Sequence, residues 1–288
     1  MAEGFEKRKR MIDLHCHTTA SDGLVSPSNI IRQAAIEGIS LIAIADHDTV
    51  NGLEEAFESA KKEDVSFIPA VELSVDCEKG DFHLLGYGIQ YRNQSLRTKL
   101  EELKHIREER IMRIVDKLNQ ARVQITQSDV QNEITGAAPG KPHVARVLVS
   151  KGYAPDVQTA IITYLNKGKP GYVRKEKIRP EDAFELIKCA GGVAVLAHPA
   201  SLNRESHDEY IQIIQRYISM GLAGIEVYSN IHNNEDVKFF SDIARQYNLI
   251  ATGGSDFHSN NGERLGYYGA CRPIPTSCSR DLLRLVKN

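Results

Sequence analysis

The sequence predicts an α/β fold: a barrel or near-barrel of about seven strands in a parallel sheet, interrupted by a small helical insertion. Three observations predict it. Short apolar runs recur along the chain, helix-like segments mostly alternate with them, and one long stretch breaks the alternation.

The first run, Met11 to Leu14, leads directly into His15-Cys16-His17. Side chains at i and i+2 of a strand share a face, so His15 and His17 project together while Cys16 turns into the core. Asp22 follows on a polar loop that ends in Gly23. Pro27 and Gly38 then bracket a helix marked by Ile30, Ile31, Ala34 and Ala35. Leu41 to Ala45 reads as a buried strand ending in Asp46-His47-Asp48, and Asn51 to Lys62 as a helix. Val65 to Val71 is a strand ending in Glu72, and Leu84 to Ile89 is one with His83 at its start. Later come the helix Pro180 to Ala190 and the strand Val193 to Ala197, which ends in His198-Pro199. Helix His207 to Met220, strand Gly224 to Tyr228, helix Glu235 to Tyr247 and strand Leu249 to Thr252 complete the series. The last strand runs into Gly253-Gly254-Ser255-Asp256-Phe257-His258.

The stretch from Tyr91 to Arg179 carries little strand signal. Leu96, Leu100, Leu103, Ile106, Ile111, Ile114, Val115 and Leu118 mark a long amphipathic helix. Shorter helices are expected at Ser128 to Ile134, His143 to Lys151 and Pro155 to Leu165, with a loop over Asn166 to Gly171. The division expected is a core of residues 11–90 and 180–288 with a helical insertion at 91–179.

Composition restricts the function. The chain has 288 residues, 41% of them hydrophobic and 26% charged, with a net charge of −2. Near-neutral charge argues against coating nucleic acid through bulk electrostatics. No run of about 18 apolar residues is present, so no membrane span is expected. The charged N-terminus lacks the apolar stretch of a signal peptide, and the five cysteines include no CxxC pair. A reduced, cytoplasmic setting is the expectation.

At the strand ends the polar residues collect: His15, His17, Asp22, His47, Glu72, His83, His198, Asp256 and His258, with His232 a few residues past Tyr228. Barrel enzymes carry their chemistry on the C-terminal strand face. Imidazole and carboxylate donors suit zinc, manganese or iron, and a set without cysteine argues against a structural zinc site. So many donors suggest two or three ions, with Glu72 as a bridge. Clustered cations suit displacement at phosphorus. His105 and His207, in charged helical stretches, read as surface residues; Asp46 and Asp48 read as supports or turn residues. No phosphate-binding P-loop, GxGxxG, GxSxG, HExxH or zinc deaminase pattern occurs.

The stretches DLHCHTTASDG, IADHDT, PAVELS, HLLGYG, VAVLAHP and TGGSDFH together resemble the PHP (polymerase and histidinol phosphatase) superfamily of metal-dependent phosphoesterases. With GKPHVARVLV and YLNKGKPGYV, the chain is most similar to the stand-alone bacterial members with a helical insertion. The resemblance implies a distorted seven-stranded (β/α) barrel holding a trinuclear manganese, iron or zinc site. It assigns His15, His17, Glu72 and Asp256 to one ion, Glu72, His83 and His198 to a second, and Asp22, His47 and His258 to a third. It also places the insertion over the site, where Lys141, His143 and Arg146 would meet a substrate phosphate.

The activity this implies is hydrolysis of phosphate esters in 3′,5′-bisphosphate nucleotides or short RNA. A metal-generated hydroxide attacks phosphorus, inorganic phosphate is a product, and His198 or His232 is the expected proton donor. The rival readings are a phosphatase of a non-nucleotide metabolite such as histidinol phosphate, a metal-dependent amidohydrolase, and a non-catalytic PHP module. Neither a membrane nor a stable protein partner is expected.

Overall fold

Seven strands form one sheet in the order in which they occur: β1 (Met11–Cys16), β2 (Ile39–Ile44), β3 (Ser66–Val75), β4 (Phe82–Tyr87), β5 (Val193–Leu196), β6 (Gly224–Tyr228) and β7 (Ile250–Gly253). The structure is a computed structural model and describes residues 11–134, 139–174, 176–259, 262–269 and 271–286. β1, β2 and β3 pair in parallel, as do β5, β6 and β7, whereas β4 is antiparallel to both β3 and β5. The fully parallel sheet is thus corrected at one strand. Only residues 76–81 separate β3 from β4, too few for a crossover, so the chain turns back on itself. The reversal puts the start of β4 at the C-terminal end of its neighbours, with His83 opposite Ser74.

The first and last strands meet. Cys16 bridges Phe257 in parallel fashion, and the His17 amide donates to the Phe257 carbonyl at 2.9 Å. Asp13 reinforces the junction by accepting from the amides of Ser255 (3.0 Å) and Gly266 (2.8 Å). Gly254 is required here, because a Cβ on it would lie 2.1 Å from the Cβ of His15.

Helices α1 (Pro27–Glu37) and α2 (Leu53–Glu63) connect the first three strands. The segment between β4 and β5 holds α3 (Gln94–Gln120), α4 (Gln127–Glu133), α5 (Lys141–Ser150), α6 (Val157–Ala160), a π-helical turn at Ile161–Leu165, and α7 (Pro180–Cys189). Helices α8 (His207–Ser219), α9 (Asn234–Gln246) and α10 (Ser277–Val286) follow. The helix α10 and a short pairing of Tyr267–Tyr268 with Arg272–Pro273 have no counterpart among the expected elements. Two-residue strands have no periodicity to read, whereas Leu282, Leu283, Leu285 and Val286 give α10 an apolar pattern that could have marked it.

Both faces of the sheet are buried. Leu14, Ala43, Ala70, Leu85, Val195 and Ala197 form one cluster, closed by Tyr268, Cys278 and Leu282. Cys16, Ile44, Leu73, Leu84, Leu196 and Val227 pack with the helices in the other. Alternate strand residues enter opposite clusters, as the pleat requires. Helix α3 links two packing units. Leu96, Leu100 and Leu103 join the sheet–helix cluster, whereas Ile111, Ile114, Val115 and Leu118 join a third cluster with Val130, Val144, Leu148 and Leu165. No helix among the described residues is long and apolar enough to cross a membrane.

Candidate active site

Nine His, Asp and Glu side chains meet at the C-terminal end of the parallel strands. Their positions follow from the chain path. His15 ends β1 with His17 just beyond it, His47 follows β2, His198 follows β5, and Asp256 and His258 follow β7. His83 joins them only because β4 is reversed. Glu72 departs from expectation: β3 continues to Val75, so Glu72 lies within the strand. Residues 46–48 continue alongside it, with the Glu72 amide donating to Asp46 O (3.2 Å) and the Asp48 amide to Glu72 O (2.9 Å).

Glu72 is the centre of the cluster. Its Oε2 lies 2.8 Å from His47 Nδ1, 3.3 Å from His17 Nε2 and 3.4 Å from His15 Nε2. Its Oε1 lies 3.0 Å from both His83 Nδ1 and His198 Nε2. Asp256 Oδ1 is 3.0 Å from His17 Nε2 and 3.6 Å from His15 Nε2. Asp22 Oδ1 faces His258 Nε2 at 3.4 Å. Three overlapping groups have donor atoms within 4.8 Å of one another: His15, His17 and Asp256; His47, Glu72 and His83; and His17, Asp22, His47 and His258. These groups overlap the implied sets without coinciding: Glu72 is absent from the His15 group, His47 stands in place of His198 beside Glu72 and His83, and His17 joins Asp22, His47 and His258.

Hydrogen bonds fix several tautomers. His15 Nδ1 faces Glu226 Oε1 at 3.0 Å, so it carries a proton and turns Nε2 into the cluster. The Ser201 hydroxyl donates to Asp81 O (2.8 Å) and therefore accepts from His198 Nδ1 (3.0 Å), which leaves His198 Nε2 aimed at Glu72. His258 Nδ1 donates to Asp256 O at 2.8 Å. Strained backbone accompanies this aiming: His198 (φ 23°), Asp256 (φ 50°) and Asp48 (φ 49°) occupy the left-handed region.

The donor set fits divalent cations. His15 Nε2 and His17 Nε2 converge to 3.1 Å, the spacing expected of two imidazoles held at about 2.1 Å from one ion. Asp22 Oδ1, His47 Nδ1 and Glu72 Oε2 are buried and make no hydrogen bond, a cost that a cation would remove. The charges agree. Burial pushes the carboxyls of Glu72, Asp22 and Asp256 up, but the surrounding imidazoles outweigh it and hold all three well below the usual range. Burial also lowers the imidazoles, yet Glu72 holds His198 up at about 9 and Asp22 holds His258 up at about 10. His17 and His83 go the other way, to about 3 and about 4, because burial dominates. With no cation bound, these ionised carboxylates hold protons on the neighbouring His198 and His258 imidazoles.

A basic group borders Asp22 on the side of the helical segment. Arg107 and Arg110 of α3 are both buried. Arg107 forms an ion pair with Asp48 and donates to Ser74 Oγ at 3.2 Å. Burial lowers it to about 10 against the pull of Asp22. Arg110 donates to Val173 O at 3.0 Å. Lys141 is lowered by burial and by Arg110, and His143 by burial and by Arg146. His143 Nδ1 accepts from the Gly140 amide at 3.1 Å, so its proton is on Nε2. Arg146 pairs with Glu133 at 3.3 Å, which leaves it less charge for a ligand.

The two expected proton donors sit in different settings. His232 is buried with both ring nitrogens engaged: Nδ1 donates to Val227 O (2.8 Å), and Nε2 accepts from the Ala200 amide (3.3 Å). Burial lowers it further, so it is a neutral brace for the turn after His198. His198 itself has a ligand's tautomer. His105 and His207 lie on the surface as expected, His207 stacked on Phe239. Asp46 secures the loop to Asp22, accepting from the Thr18 amide and hydroxyl (both 2.7 Å) and from the Ser21 hydroxyl (2.6 Å).

Sequence reasoning missed Glu226, Asp13, Arg107 and Arg110. Glu226 and Asp13 each interrupt an apolar strand run with a lone acid, which is a readable signal for a buried polar role. The two arginines left no such trace, because charged residues surround them in a helix.

A family model described as "PHP domain" matches residues 13–230. The 3′,5′-nucleoside bisphosphate phosphatase of Chromobacterium violaceum is 34% identical over 95% of this chain and 98% of its own. The 5′-3′ exoribonuclease of Haemophilus influenzae is 31% identical over 85% of this chain and 89% of its own. A crystal structure from Bifidobacterium adolescentis, provisionally assigned as a metal-dependent phosphoesterase, superimposes with a TM-score of 0.85 at 28% identity, covering 96% of both chains. With the cluster and the sheet that carries it, these likenesses show that the chain belongs to the PHP domain family.

Proposed function

We propose that this chain is a metal-dependent phosphoric ester hydrolase whose substrates are nucleotides: 3′,5′-bisphosphate nucleotides or the ends of short oligoribonucleotides. One observation carries the reading. A cluster of eight grouped donors, joined by His198 at Glu72, lies beside buried arginines suited to a second phosphate. The names of the two relatives support it. A non-nucleotide monoester such as histidinol phosphate would use the cluster but gives no role to Arg107, Arg110 and Lys141, so the nucleotide reading is preferred.

His15, His17, Asp22, His47, Glu72, His83, His198, Asp256 and His258 would hold two or three ions of manganese, iron or zinc. When bound, such cations supply Lewis acidity toward the phosphoryl oxygens and the attacking water. The chain's own groups do the rest. Glu226 and Ser201 fix the tautomers of His15 and His198, and Asp46 fixes the loop that carries Asp22. His143 Nε2–H and the cations of Arg110 and Lys141 bind the phosphate that is not cleaved, and Arg107, paired with Asp48, positions them.

The test is a substrate screen with manganese, iron and zinc in turn, covering 3′,5′-bisphosphate nucleotides, 5′-phosphorylated short RNA and histidinol phosphate. Phosphate or nucleotide release from the first two is expected. Turnover of histidinol phosphate alone would overturn the assignment.

A further inference from the structure

A cavity of about 530 Å³ opens directly from the cluster. Asp22, Asp256 and His258 line it at one place, and Ile231, Arg264 and Tyr267 line it at another. Its size suits a small organic ligand. Of this second set, Ile231 and the Tyr267 ring offer no charge to a phosphate. Arg264 lies over the Tyr267 ring with its guanidinium carbon 4.3 Å from the centroid, and the Tyr267 amide donates to the Arg264 carbonyl at 3.1 Å, so the pair is held as a layer. Ile231 is 52% exposed, an unusual position for a large apolar side chain beside a polar cluster. Pro142 adds apolar surface from the start of α5.

We infer that this cavity is the nucleobase subsite of the enzyme, with the base stacked against the Arg264–Tyr267 layer and resting on Ile231. The inference rests on the nucleotide reading above and deepens it. The uncleaved phosphate and the base both attach to one ribose, and the two recognition regions both border Asp22: the basic group reaches it from α3 and α5, and the cavity includes it. Stacking on an aromatic or guanidinium face accepts every base, because every base has a π-face. Asn230 and Glu263 also line the cavity, so edge contacts accompany the stacking. The subsite favours a nucleotide over a base-free phosphate ester.

The experiment compares kcat/KM for a 3′,5′-bisphosphate nucleotide with that for its abasic tetrahydrofuran analogue, which keeps both phosphates. For the unmodified enzyme the ratio should be roughly ten- to a hundredfold in favour of the nucleotide. Tyr267→Ala and Ile231→Ala should each bring the ratio toward one, while Tyr267→Trp restores it. Ile231 is exposed enough that its replacement will not unfold the chain. Phe57→Ala is the control, since Phe57 carries a similar cation (Lys61 Nζ at 4.1 Å) away from the cavity and should leave the ratio unchanged. A ratio near one for the unmodified enzyme, or one untouched by both alanine variants, overturns the subsite while leaving the nucleotide reading intact. Failure of the unmodified enzyme to cleave either compound overturns both.

Discussion

Glu226 holds His15 and His198 at once. Its Oε1 is 3.0 Å from His15 Nδ1, and its Oε2 accepts from the His198 amide at 2.8 Å, wholly out of solvent. One carboxylate therefore sets a ring tautomer on β1 and a strained backbone after β5. Carboxylates behind ligand histidines commonly govern metal affinity by about ten- to a hundredfold. Glu226→Ala should lose affinity within that range, and Glu226→Gln should lose less, because an amide oxygen can still serve one of the two donors. Metal content after dialysis, with chelator competition for Kd, measures both. Unchanged Kd in the alanine variant would mean that the ligands hold their own orientation.

His17 and Asp256 are 3.0 Å apart and belong to the same donor group. His17→Ala and Asp256→Ala should each reduce manganese-dependent phosphate release to background, as should a chelator on the unmodified protein, with activity returning on metal addition only in the last case. Full activity in both variants would sink the proposed ligand scheme.

Cation-free protein should be most stable near pH 6.5. On the acid side, His17 and His83 resist protonation down to about 3 and about 4. The unfolded chain binds those protons below pH 6.5, so stability falls as pH falls. The depressed carboxyls of Glu72, Asp22 and Asp256 act in the same direction at lower pH. On the alkaline side, His198 and His258 keep their protons up to about 9 and about 10, and the unfolded chain has already released them. Their stabilisation is complete below pH 6.5 and is lost as pH rises through those values. Added manganese should remove the alkaline decline, since cation binding displaces the same protons. Thermal unfolding in chelator across pH 4–10 checks this; a rise continuing past pH 9 would contradict it.

The strand series and the nine donors were legible because they rest on periodicity and on residues confined to run ends. What stayed hidden depended on chain reversal or on long-range contact. The direction of β4 follows from a six-residue connection rather than from any residue in the strand. Arg107 and Arg110 look like other charged positions of α3 until the helix is docked, when they turn out to be buried near Asp22. The engagement of both His232 nitrogens by Val227 and Ala200 was hidden too, since no local pattern encodes those contacts.

Arg107 couples the helical segment to the ligand loops. Its partner Asp48 adjoins His47 and also accepts from the Ser74 amide at 2.8 Å, close to Glu72 on β3. Removing one member of a buried ion pair strands the other, at about 3–5 kcal/mol. Arg107→Met should therefore destabilise the fold by that order in urea unfolding, and adding Asp48→Asn should recover part of the loss. A cost below about 1 kcal/mol would show that Asp48 finds another partner.

Lys141, His143 and Arg146 occupy neighbouring turns of α5 but should not contribute equally. The Arg146 guanidinium is engaged by Glu133, whereas among the described residues the Lys141 ammonium meets the neutral amide oxygen of Asn166, at 3.3 Å, and burial and Arg110 depress it against the pull of Asp81. A cation held in a positive environment gains most from an anion. A charged hydrogen bond of about 1.5–3 kcal/mol corresponds to roughly a ten- to a hundredfold change. Lys141→Met should reduce kcat/KM for a 3′,5′-bisphosphate nucleotide by that factor, through KM rather than kcat, while Arg146→Met changes it less than about threefold. The effect of Lys141→Met should largely vanish for a substrate with one phosphate, because the group it binds is then absent. Equal losses on both substrates would place Lys141 at the cleaved phosphate, and a larger loss from Arg146→Met than from Lys141→Met would reverse the assignment.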